Sequence, residues 1–123
     1  MWRKGRRLFS TAAVMMLLFS AAHTLGILAG VDHTREQKFD AFDHELRFAF
    51  WTLAFTVSVL LAALGVINLL VAASSADDAL IGRLRWVNLA WLAGLIGVSA
   101  YYGITPPLIT SIAIVIVLLA SFF

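Results

Sequence analysis

Residues 32–51, DHTREQKFDAFDHELRFAFW, lie between two long apolar runs and gather five of the seven acidic residues and two of the three histidines. On a helical repeat, Glu36, Asp40, Asp43, His44, Arg47 and Trp51 fall at i, i+4, i+7, i+8, i+11 and i+15, which is one face. Phe39, Phe42, Leu46 and Phe50 recur at three-to-four-residue spacing on another. The pattern predicts an amphipathic helix over about residues 33–47 that lies at a membrane surface and runs into an apolar span.

Working outward, the rest of the chain is too apolar for a soluble domain. Soluble domains are about half apolar and about a quarter charged. This chain of 123 residues is 62% hydrophobic and 13% charged, with a mean hydropathy of +0.94. Four apolar segments, about 8–30, 48–73, 84–103 and 104–123, each hold roughly 20 residues or more, enough at about 1.5 Å per residue to cross a hydrocarbon core of about 30 Å. The expected fold is all-α: an integral membrane four-helix bundle forming a single transmembrane domain over 1–123, with an amphipathic surface helix before the second span. The four segments leave no room for a separate soluble domain. The absence of cysteine excludes disulfides, thiolate metal sites and thiol redox chemistry.

Charge placement gives a topology. Arg3, Lys4, Arg6 and Arg7 precede the first span, and Arg83 and Arg85 lie between the second and third, against Arg35, Lys38 and Arg47 on the other side. By the positive-inside rule both termini belong in the cytoplasm of a multi-pass protein of the plasma (inner) membrane. The same rule accounts for the net charge of +2 without a nucleic-acid partner. Arg6-Arg7-Leu8-Phe9 loosely fits a twin-arginine signal, and Ser20-Ala21-Ala22 resembles a cleavage site. The apolar run nevertheless continues through HTLGILAG to Gly30, which favours an uncleaved first helix. Ser75 with Asp77 and Asp78 is a helix-start signal, and Thr105-Pro106-Pro107 predicts a tight turn opening the last helix. Gly26 and Gly30 form a GxxxG step, and Gly94, Gly97, Ser99 and Gly103 are small positions where helices are expected to pack. The last span carries no charge and is expected to be a lipid-facing wall or an oligomer contact.

Three groups of residues can carry chemistry. His23 is the titratable group inside the first span, and such groups usually face the bundle interior or a water-filled cavity. Asp40 and His44, at i and i+4, have the spacing of a hydrogen-bonded pair or of joint metal ligands, with Glu36 one turn earlier and His33 three residues before that. A surface helix folded over the first span would bring His23, Asp40 and His44 together as an acid–base site, and His33, Glu36, Asp40 and His44 as a metal set. The competing reading is a solvated charged face with local ion pairs. Asn68 and Asn88, near the inner ends of adjacent spans, are expected to hydrogen-bond across a helix interface. No HExxH, di-iron ExxH or phosphate-cradling glycine loop is present, so the sequence names no cofactor.

His23-Thr24-Leu25-Gly26 at the end of a first span, followed by a short polar stretch, aromatics and a long second span, resembles a group of small uncharacterised bacterial four-span membrane proteins. The resemblance covers about the first 75 residues; it implies the four-helix membrane fold and singles out His23. The size also resembles that of small multidrug resistance transporters, but those carry a glutamate in the first helix, where this chain has only His23. The function expected is an accessory or scaffold role in the bilayer, with a homo-oligomer or a membrane protein as partner. Two alternatives stay open. One is a membrane enzyme or binding protein for an apolar small molecule using the outer His/Asp group; the other is a small oligomeric transporter.

Overall fold

The computed structural model describes residues 2–37, 44–75, 77–103 and 105–123, with 2, 27, 29–37, 44–50 and 102 described through their backbone alone. The described chain is all-helical: α1 (Trp2–Gln37), α2 (His44–Ala73), α3 (Asp78–Tyr102) and α4 (Thr105–Ala120). Within them Arg3–Gly26, Trp51–Ala73 and Asp78–Tyr101 are long and apolar enough to cross a membrane. Helix α4, at 16 residues, is apolar but shorter, about 24 Å by helical rise.

The helix ends follow local chemistry. Asp77 caps α3: its backbone is extended and its Oδ1 accepts the Leu80 N–H at 2.8 Å. This cap starts α3 six residues before the expected apolar segment at 84, so Arg83 and Arg85 lie on a helix and not in a loop. Gly103 ends α3 in the left-handed region (φ 66°), where a side chain is disfavoured, and its N–H reaches the Ala100 carbonyl at 3.3 Å. Pro106 and Pro107 then sit in the first turn of α4, where a missing N–H costs nothing. The stretch 33–47, expected as one surface helix, is divided in the described backbone: 33–37 continue α1 and 44–47 open α2, while 38–43 lie outside the described residues. Between Gly30 and Gln37 there is no Gly or Pro to stop α1.

Helix α1 is the hub. It packs along α2 and also against α4, α4 packs against α3, and α2 and α3 barely touch, giving a spatial order α2–α1–α4–α3. Phe9, Ala12, Met16 and Phe19 form the buried stripe of α1 and meet Leu61 of α2, Ile81 and Leu92 of α3, and Ile114 and Leu118 of α4. Helix α4 is therefore an inner element, burying Ser111, Ile114 and Leu118, with only its opposite face (Ile109, Ile112, Ile116) outward.

Of the expected small packing positions Ser99 is buried, but the described glycines among them make no close helix approach. A Cβ on Gly26, Gly94 or Gly97 would meet nothing within 4 Å. A Cβ on Gly65 would lie 2.8 Å from Leu17 Cγ and 3.1 Å from the Ala13 carbonyl oxygen, so α1 and α2 touch there almost backbone to backbone. On Gly5 it would lie 2.6 Å from the Ser121 carbonyl oxygen, which fixes the α1–α4 crossing. These two glycines hold the hub together.

Candidate functional site

His23 lies on the α1–α2 seam, half-buried. Its Nδ1 is 2.7 Å from Ser58 Oγ, the donor being set by the tautomer, and its ring meets Phe19 at 5.9 Å between centroids, tilted by 55°. One turn earlier Ser20 Oγ donates to the Ser58 carbonyl at 2.7 Å. The three polar groups thus satisfy one another across two apolar helices. Ser58 is only 3% exposed, so its hydroxyl is closed to a substrate even though a histidine stands beside it. The cluster is an interhelical polar clasp of the kind worth about 0.6–2 kcal/mol in membranes.

Of the outer group predicted to join His23, the backbone positions of His33, Glu36 and His44 lie well away from it. Helical rise alone sets His33 about 15 Å and Glu36 about 20 Å further along α1, and His44 about 21 Å beyond Ser58 along α2. Their side chains, and Asp40 altogether, lie outside what the structure describes. Among the described residues no three His, Asp or Glu side chains come together to hold a metal ion.

Asn68 and Asn88 are both buried, at 1% and 0% exposure, but their donors do not meet. Asn68 Nδ2 donates to Met16 Sδ at 3.7 Å, and Asn88 Nδ2 donates to the Leu84 carbonyl of its own helix at 2.7 Å. The expected bond between them fails because α2 and α3, consecutive in sequence, are not neighbours in space. Asn68 is still an interhelical contact, toward α1. Both Oδ1 atoms are buried without a partner among the described residues, as are Trp91 Nε1 and Ser111 Oγ.

No protein family, curated protein or solved structure matches this chain. What the site can do therefore rests on its own geometry.

That geometry is richest at the end of the bundle where the basic residues gather, a cluster that sequence reasoning used only for topology. Arg6 Nη1 donates to the carbonyls of Ala72 (3.2 Å) and Ser74 (2.7 Å), a cation set on the negative end of α2, and its Nη2 lies 3.9 Å from Asp78. The Arg85 guanidinium stands 5.2 Å from the ring of Phe122 and 6.0 Å from that of Phe9. Between these two arginines a cleft of about 210 Å³ opens, with Gly5, Asp78, Ser121 and Phe122 among its walls. A shallower hollow of about 250 Å³ is lined by Arg3, Arg6, Arg7, Ser10 and Ala72. The sequence does carry a signal for Arg85. Ile81, Arg85, Asn88 and Leu92 fall at i, i+4, i+7 and i+11, which places a charge on the buried stripe of α3.

Proposed function

We propose that this chain is a small integral membrane protein with an accessory or scaffold role, crossing the plasma (inner) membrane four times with both termini in the cytoplasm. The observation that carries this reading is the pair of uncovered apolar faces on α2 and α3. Leu53, Val59 and Leu70 on α2 and Trp86, Val87 and Val98 on α3 are all more than half exposed, and the two helices scarcely meet each other. Lipid can cover such faces, and so can the helices of a partner or of a second copy. The polar groups on the α1–α2 seam, by contrast, are turned toward one another and toward a backbone carbonyl, as His23, Ser58 and Ser20 show.

Four crossings are supported by α4 returning along α3. Phe122 meets Trp86 at 5.5 Å between ring centroids, and the Ser121 carbonyl sits against Gly5 near the start of α1. An even number of passes brings both ends to the basic side, and that side is cytoplasmic by the charge rule. The shortness of α4 is met by local thinning of the bilayer or by tilt of its neighbours, each a small cost.

The test is site-specific photocross-linking in native membranes from Val59 and Leu70 on α2 and from Val87 and Val98 on α3. The scaffold reading expects one of these faces to give a protein adduct of a single mass and fixed stoichiometry, unchanged by His23→Ala. Adducts with lipid alone at all four positions, or a transport or turnover activity that disappears with His23→Ala, would sink it.

A further inference from the structure

Among the side chains that line the cleft between Arg6 and Arg85 there are two cations and one carboxylate, with Phe122 and Phe123 also in its walls. Asp78 already faces Arg6, at 3.9 Å, and Arg6 also caps the end of α2 through Ala72 and Ser74. Arg85 also feels the Asp78 carboxylate, but it caps no helix end as Arg6 does. It is half-buried, flanked by the faces of Phe9 and Phe122, and its Nε is buried with no hydrogen-bond acceptor among the described residues. A guanidinium fork is a planar double donor whose natural complement is a carboxylate or a phosphate, and a buried donor left unmet is costly. Gly5 keeps the site open: a Cβ there would lie 3.1 Å from Arg85 Nη2.

Position narrows the source of the anion. The cleft lies at the end of the apolar spans, beside an exposed Trp86 whose ring meets Phe122, one of the cleft's walls, at a tilt of 57°. Tryptophan is enriched at headgroup depth, and basic pockets between spans on the cytoplasmic side are suited to lipid headgroups. The walls are two-natured, with Arg6 and Arg85 set beside the apolar Ile81 and Phe122, which suits a polar head joined to acyl chains.

We infer that this cleft binds the phosphate of an anionic phospholipid, with Arg85 as the principal ligand and Arg6 as the second cation. The inference rests on the bilayer placement proposed above and not on the scaffold role. Lipid retention can fail while cross-linking to a partner succeeds, and the reverse, so the two readings fail separately.

The experiment is native mass spectrometry of the full chain released from nanodiscs of phosphatidylcholine with or without phosphatidylglycerol. The wild-type protein is expected to retain one phosphatidylglycerol in preference to phosphatidylcholine. Arg85→Gln, checked for unchanged helix content, is expected to lower that retention about tenfold or more through loss of a charge-assisted fork. Arg83→Gln, two residues away, exposed and not a wall of the cleft, is expected to leave it within about threefold. The wild-type arm needs no variant to fold: equal retention of both lipids, or of neither, overturns the proposal. Displacement of the lipid by inorganic phosphate at matched concentration overturns the lipid as source, and an Arg85→Gln protein that retains as much as wild type overturns Arg85 as ligand.

Discussion

Replacing Gly5 by alanine tests the α1–α4 crossing at its tightest point. The added Cβ would lie 2.6 Å from the Ser121 carbonyl oxygen, and that neighbour is backbone, so no rotamer change relieves the clash. Ordinary contact begins near 3.4 Å, so α1 and α4 must separate by most of an ångström. Overpacking of this kind costs about 1–3 kcal/mol. Alanine also favours a helix over glycine by about 1 kcal/mol, leaving a net loss of about 0–2 kcal/mol. Gly26→Ala supplies the reference, because nothing lies within 4 Å of its Cβ and only the helix gain of about 1 kcal/mol remains. The two variants should therefore differ by about 1–3 kcal/mol. Equilibrium unfolding in mixed micelles, followed by far-UV circular dichroism, measures the difference directly. Equal stability of Gly5→Ala and Gly26→Ala would refute the close approach of α1 and α4.

Other outcomes follow from single contacts. Ser58→Ala should destabilise by about 0.6–2 kcal/mol through loss of the His23 partner, and a double-mutant cycle with His23→Ala should show the two losses overlapping and not adding. Asp77→Ala removes the acceptor for the Leu80 N–H and should cost about 1 kcal/mol, while Asp77→Asn should recover most of it in the same unfolding assay. Gly103→Ala forces a side chain into the left-handed region and should cost about 1 kcal/mol, whereas Gly97→Ala, in open space, should not.

The helices themselves were legible in the sequence because length and hydropathy fix them. Ser75 with Asp77 and Asp78, and Thr105-Pro106-Pro107, marked the turns for good chemical reasons, while Gly103, expected as a packing position, is the cap that ends α3. The helix order was not legible. In a soluble bundle the buried stripe stands out against a polar face, but a helix in lipid is apolar on both sides. Leu60 is 41% exposed and its neighbour Leu61 fully buried, and nothing in two leucines tells them apart. The same blurring favoured Gly26 as a packing position over Gly65, and made Asn68 and Asn88 partners because their helices adjoin in sequence. Arg85 was readable in principle, since a charge on a stripe of Ile81, Asn88 and Leu92 is conspicuous once the stripe is drawn. The outer candidate site rests on a different assumption, that 33–47 folds as one helix over the first span, and Asp40 with the side chains of His33, Glu36 and His44 lies outside the described residues. A helix that continues to Gln37 instead carries Glu36 away from His23 at about 1.5 Å per residue.

The uncovered faces of α2 and α3 exist only if α1 and α4 lie between them, and the absence of native cysteine makes this order open to a clean measurement. Paired cysteines bridged by a short thiol-specific linker in native membranes report it. The account predicts efficient bridging between Met16→Cys and Asn68→Cys, whose side chains touch at 3.7 Å, and little between Asn68→Cys and Asn88→Cys. Bridging of the second pair and not the first would place α2 against α3, cover both faces, and contradict the account.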